Sequence, residues 1–217
     1  MTKGKFEHSN NPKGFPEGVF VARVGWFRDF GDYLFSYERG VELLYQKVAS
    51  GEATPDSIVV PLVFLMRHSL ELGYKYTLME LHYLNEVAYD SKKFGHHSLR
   101  GLHAALKEWF GKVAAKWSLS ESMLEDFACH YDRTQAGMEE FDQLDSSSFR
   151  FRYPIDKKSG NRVFSGDETV NLLSLKQLYD DAMVLLRHTA DVLSPAREML
   201  EEFRQEMWAQ VSDDLAW

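Results

Sequence analysis

One cysteine, Cys129, is all the chain carries. A lone thiol closes no internal disulfide and builds no multi-cysteine zinc site, so a cross-linked secreted scaffold and a zinc ribbon are both excluded. Cys129 sits in a helical apolar pattern and reads as a small core residue. No apolar run is long. The longest, Ile58 to Met66, has nine residues and meets Arg67 and His68 at once, well short of the ~20 needed to span a bilayer. Met1 to Gly18 is polar and lacks the apolar stretch of a signal peptide, so a cytoplasmic protein with no membrane partner is expected. Excess positive charge is missing too. The formal net charge is −8, which excludes a protein that coats nucleic acid through a general basic surface but leaves room for a local basic patch.

Hydrophobic residues make up 44% and charged residues 27% of the 217, an ordinary globular balance that supports one core. Residues 1–30 mix glycine, proline and aromatics and read as an N-terminal extension, with Val19 to Val24 as a short extended segment. From Asp32, Leu34, Phe35, Val41, Leu44, Tyr45 and Val48 recur at steps of three and four, predicting a first helix that ends near Ser50-Gly51. Thr54-Pro55-Asp56-Ser57 is a helix-start signal. The helix that follows, from about Pro61 to Leu84, is apolar in nearly every direction and therefore central. Ser98 caps a third helix bearing Leu99, Leu102, Leu106, Trp109 and Val113. Ser120 opens a fourth with Met123, Leu124, Phe127, Tyr131, Met138 and Phe141. A fifth runs from about Leu173 to Met207, bent at Pro195, and 208–217 is an acidic tail expected to fray.

Between the last two helices the period changes. Phe149, Phe151 and Tyr153 alternate with Arg150 and Arg152, Pro154 to Gly160 has turn chemistry, and Val163-Phe164 can return as a second strand. The prediction is an all-α bundle of about five helices over 31–207, with a small β-hairpin inserted at 146–166.

Arg67, Glu71 and Lys75 fall within about 80° on the central helix, with His68 and His82 at the edge of the stripe. Such a seam is either a cationic pocket for an anionic group or an ion-pair ladder in which Glu71 bridges its neighbours at i,i+4 spacing. Arg150 and Arg152, two residues apart on one strand face, can fork toward phosphate or carboxylate, or pair with Asp145 or Asp156. His96, His97 and His103 lack a recognised ligand spacing, so no metal is assigned. No phosphate loop, dinucleotide fingerprint or nucleophile elbow occurs, and no cofactor is expected.

Three segments together carry a resemblance. Phe64-Leu65-Met66-Arg67-His68-Ser69-Leu70-Glu71-Leu72-Gly73-Tyr74-Lys75, His97-Ser98-Leu99 and Phe151-Arg152-Tyr153-Pro154 resemble the Arg-x-x-x-Glu-Leu-x-x-Lys helix, the His-Ser-Leu step and the Arg-Tyr-Pro segment of HEPN-like helical bundles. The resemblance spans roughly residues 58–195. It implies a four- or five-helix bundle, often a homodimer, found in bacterial defence and toxin-antitoxin systems, and many such proteins are metal-independent ribonucleases using Arg-x(4–6)-His. No arginine and histidine of this chain stand at that spacing. The expectation is therefore a non-catalytic module recognising a nucleotide, RNA or partner protein through Arg67, Glu71, Lys75, His97, Arg150 and Arg152. The alternative is a divergent ribonuclease in which His97 or His68 is the acid/base.

Overall fold

A computed structural model of the chain describes residues 21, 22, 24–145, 148–156, 158–164, 166 and 168–214, with side chains as far as Val211. Five helices account for most of it: α1 (Phe30–Ala49), α2 (Pro55–Leu84), α3 (Leu99–Trp117), α4 (Glu121–Leu144) and α5 (Leu172–Asp214). A short 3-10 turn, Val24–Trp26, precedes them. It takes up the end of the segment expected to be extended, whose first residues, 19 and 20, lie outside the described ones.

Local chemistry sets most of the boundaries. Asp29 caps α1 by accepting from the Asp32 amide at 3.0 Å, so this helix starts slightly before Asp32. Gly51, at φ +74°, turns the chain after α1, a conformation glycine adopts without a Cβ clash. Ser98 accepts from the Gly101 amide at 3.0 Å, and Ser120 from the Met123 amide at 3.4 Å. Pro55 occupies the first turn of α2, and Pro61 lies inside the helix. Its missing N–H frees the carbonyl of Ser57, an exposed residue, and the helix runs through Pro61 from a start six residues earlier. At the far end of the chain α5 continues through Asp214, and the acidic segment after Met207 therefore starts as helix.

α2 packs against α1, α3 and α5, while α4 closes on α3 and α5. Four helices thus form a ring, with α1 laid outside against α2. Leu62, Met66, Leu70, Tyr74, Leu78 and Leu81 of α2 are fully buried, each worth about 1.5–3 kcal/mol of apolar burial. Gly73 lets α5 come close: a Cβ there would stand 2.7 Å from Leu186 Cδ1.

Among the described residues there is no strand and the expected hairpin does not form; the one β-type contact is an isolated antiparallel bridge, Ile155–Arg162. The alternating run coils instead, with the Arg152 and Tyr153 amides both donating to the Phe149 carbonyl at 3.0 and 3.2 Å. Phe151 is buried against Phe164, 5.0 Å between ring centroids, and Phe149 packs on Tyr153 at 4.6 Å. A two-stranded ribbon is marginal in water, and Pro154 has no amide to give a ladder. Burying Phe151 through a turn is the better solution. Cys129 also departs from expectation, being exposed on α4. Phe127, Tyr131, Thr134, Met138 and Phe141 take the core-facing side of that helix, and residue 129 lies on the opposite side.

Candidate functional site

The site grows from the middle of α2. Arg67 is 1% exposed, and a buried guanidinium must spend its donors on protein acceptors. Its Nε donates to the Asp145 carbonyl at 2.6 Å, one terminal nitrogen donates to the His97 carbonyl, and the other stands 3.4 Å from Glu71 Oε2. Asp142 Oδ1 lies 3.8 Å away. Arg67 therefore ties α2 to the entry of α3 and the exit of α4.

Asp142, on α4, binds the start of α3 from the side. It accepts from Ser98 Oγ at 2.9 Å and from the Leu99 and Arg100 amides at 2.9 and 3.1 Å. A carboxylate at a helix N-terminus satisfies orphan amides and complements the dipole, and here it fixes the loop that carries His97.

Glu71, one turn along α2, is the hub. Lys75 Nζ donates to its Oε1 at 2.7 Å, and His97 Nδ1 reaches both carboxylate oxygens at 2.9 and 3.0 Å. Burial alone would raise the Glu71 carboxyl, but the Lys75 ammonium and the His97 contact outweigh it and hold the group below its ordinary value. A carboxylate only accepts, so His97 Nδ1 is the donor in this contact. Nε2 is left for another partner. The His97 side chain is 51% exposed.

Arg152 stands over the same surface. Its Nε donates to the Ser148 carbonyl, and its guanidinium lies 6.0 Å from the Phe64 ring centroid and 5.7 Å from that of Tyr153. The residue is exposed. Phe64 in turn stacks on His68 at 5.6 Å and 8° between planes, and Tyr37 of α1 meets His68 edge-on at 4.6 Å. Burial holds the His68 imidazole below its ordinary value; Glu71 opposes this, and the charges of Arg152, Lys75 and His97 add to it. His68 thus stands within the electrostatic reach of the whole cluster.

The structure brings Arg67, Glu71, Lys75, His97, His68 and Arg152 to one region. Arg150 turns away: its terminal nitrogens donate to the Leu144 and Val163 carbonyls, both at 2.9 Å, and to Glu168 at 2.8 Å. It staples the connection between α4 and α5. His82 also leaves the stripe, buried with Nδ1 2.6 Å from the Leu78 carbonyl and its ring 3.7 Å from Trp109. His103 is fully buried, 3.0 Å from the Tyr74 hydroxyl and stacked on Tyr131. Among the described residues no three His, Cys, Asp or Glu side chains stand together as a cage for a metal ion.

Chemically, the arrangement has an exposed cation in Arg152 and a carboxylate-oriented imidazole in His97. Behind them stands a buried framework of Arg67, Glu71 and Lys75. Phosphate or carboxylate oxygens suit such a surface. Asp142 and the two carbonyls that receive Arg67 are parts of it that no spacing announces. Phe64 stands out in the sequence only as an apolar residue of the central helix, and Tyr37 does not stand out at all. Among described residues no helix is long and apolar enough to cross a membrane. Comparison with family models, curated proteins and solved structures gives no match.

Proposed function

We propose that this chain is an HEPN-like binding module that recognises a phosphate-bearing ligand, a nucleotide or RNA, with His97 and Arg152 as the contacting groups. The observation that carries the reading is the pairing of an exposed Arg152 and a half-exposed His97 with the buried Arg67–Glu71–Lys75 ladder behind them. The ladder fixes the geometry, and the two outer groups remain at the surface. Lys75, 8% exposed, is bound to Glu71. Arg67 and Lys75 are offset by Glu71 and Asp142, so in a chain of net charge −8 the exposed Arg152 is the positive group of this region that meets a phosphate. The resemblance of the Arg67 to Lys75 helix to HEPN-like bundles points the same way.

The test is binding of end-labelled RNA oligomers and nucleoside monophosphates by the wild type, His97→Ala and Arg152→Ala. His97 contacts the buried Glu71, and Arg152 donates to the carbonyl of the buried Ser148, so each variant should melt below the wild type and binding is measured well under its melting temperature. We expect each to lose most of its affinity, and the wild type to bind more weakly as salt rises. Unchanged affinity in both variants refutes the reading.

One geometric fact favours a second reading. Glu71 holds the half-exposed His97 through Nδ1, the disposition of a general acid or base oriented by a carboxylate, while Arg152 could steady a phosphate. This is the divergent, metal-independent ribonuclease. The same RNA incubation decides it, because cleavage by the wild type that disappears in His97→Ala is required.

A further inference from the structure

α2 and α5 run side by side in the same direction. Leu186 of α5 stands at Gly73 of α2, Arg197 donates to Glu80 at 2.9 Å, and Arg204 reaches Glu86, two residues past the end of α2, at 3.9 Å. The bundle stops at that level. Trp117, the last residue of α3, donates its indole N–H to the Leu84 carbonyl at 3.1 Å, and α4 starts at Glu121. α5 goes on. It stays helical through Asp214, so residues 205–214 carry it about 15 Å further.

That extension repeats the pattern of the helix before it. Ala182, Leu186, Thr189, Leu193, Ala196, Leu200, Phe203 and Met207 follow one another at alternating steps of four and three, the spacing of a helical seam. As far as Leu200 each is at most 4% exposed, closed in by the other helices. Beyond it the seam opens. Phe203 is 57%, Met207 46% and Val211, one further turn along, 44% exposed, and none of residues 201–211 is buried. An apolar row rimmed by polar residues marks a surface that another chain covers.

We infer that the exposed continuation of this seam, Phe203, Met207 and Val211, is the docking face for a basic amphipathic helix of a partner protein. Charge selects that occupant. Residues 201–214 hold Glu201, Glu202, Glu206, Asp213 and Asp214 against Arg204 alone, and Arg204 is turned to Glu86 and to the Tyr83 ring, 4.6 Å from its centroid. Two copies of the chain laid together along this face would set acid against acid, and an anionic lipid surface or a nucleic acid would meet the same repulsion. A helix with apolar residues at three- and four-residue steps and Lys or Arg beside them fills the seam. It also pairs with the exposed Glu206 at the seam's edge, with Glu202 one turn earlier. This face is separate from the phosphate-binding reading, whose contacting groups, His97 and Arg152, lie outside α5.

The experiment is fluorescence anisotropy of labelled helical peptides of about three heptads, titrated with the full chain. One peptide has leucine at both seam positions of each heptad and lysine beside them; a second has glutamate in place of the lysines; a third keeps the lysines and has serine in place of the leucines. We expect the first to bind at ~100 μM or tighter, more weakly as salt rises, and each of the other two to bind at least roughly tenfold more weakly than the first. The chain carrying Phe203→Ser and Met207→Ser, shown folded by circular dichroism, should lose at least roughly tenfold in affinity for the first peptide. The inference is overturned if the first peptide does not bind, if either control binds as well as it does, or if the folded double variant binds it unchanged. Sedimentation of the chain alone should be the same for the wild type and the double variant. A dimer that only the wild type forms gives the face to a second copy and overturns the inference as well.

Discussion

Replacing Arg67 with alanine should destabilise the fold by about 3–5 kcal/mol, the cost of breaking a buried, hydrogen-bonded charge arrangement. The magnitude follows from its partners. The Asp145 carbonyl, on a residue 1% exposed, loses a donor at 2.6 Å, and a buried acceptor left bare costs about 1–3 kcal/mol. The His97 carbonyl loses its donor as well, at a lower cost because water reaches that loop. Glu71 loses least: its contact to Arg67 is 3.4 Å, beyond a well-formed hydrogen bond, and it keeps Lys75 and His97. Removal of the side chain adds a cavity. Arg67→Lys should recover less than half of the loss, since one ammonium on a flexible stem cannot serve both carbonyls in the planar geometry of a guanidinium. Urea unfolding followed by circular dichroism measures both variants, the midpoint shifting while the slope stays constant. A cost below about 1 kcal/mol for Arg67→Ala, or an Arg67→Lys protein as stable as the wild type, would show that these carbonyls do not depend on Arg67 and would refute the reasoning.

Burial pushes His103 down to about 4, while the unfolded chain takes up a proton near about 6.5. Its contribution to stability is therefore complete above the unfolded value and is lost as pH falls toward the folded one, about 3 kcal/mol over that window. Urea midpoints taken across the window should decline for the wild type and decline less for His103→Phe; His68 and His82, shifted in the same direction, supply the residual slope. Gly73→Ala should be destabilising by about 1–2 kcal/mol despite alanine's better helix propensity, because the new Cβ meets Leu186 Cδ1 in a packed interface; adding Leu186→Ala should relieve that clash, giving a non-additive double-mutant cycle in thermal melts. Asp142→Ala should cost about 1–2 kcal/mol and speed amide exchange at Leu99 and Arg100, whose N–H groups it accepts.

What could be read from the sequence is what depends on near neighbours. Ser98 and Ser120 announce their helices because a cap acts three residues ahead, and the Arg67, Glu71 and Lys75 stripe is legible because i,i+4 spacing puts side chains on one face. The meeting of His97 with Glu71, 26 residues apart, and of Asp142 with Ser98, 44 apart, depends on how α2, α3 and α4 pack. No local period encodes that. Nor could the acceptors of Arg67 be read, because two of them are backbone carbonyls, which every residue has. The alternating Phe149, Phe151 and Tyr153 mislead for a different reason. Period-two hydrophobicity describes a strand only when a sheet receives it, and here the nearest apolar surface is helical, so Phe151 reaches it through a turn.

The contrast between Arg67 and Arg152 shows why a stripe of charge on a central helix is not itself a binding surface. Both are arginines within reach of the same cluster, yet one is 1% exposed and held by two backbone carbonyls and Glu71, while the other stands at the surface with aromatic rings beneath it. Desolvating a guanidinium is repaid only by fixed acceptors, so the inner arginine sets positions and the outer one is left to meet a ligand. Glu71 joins the two layers: Lys75 and Arg67 approach its carboxylate from α2, and His97 approaches it at the surface. A ligand anion at His97 would therefore be felt through Glu71 by the side chains that hold α2, α3 and α4 together. Binding there should raise the stability of the fold as ligand concentration rises above the dissociation constant.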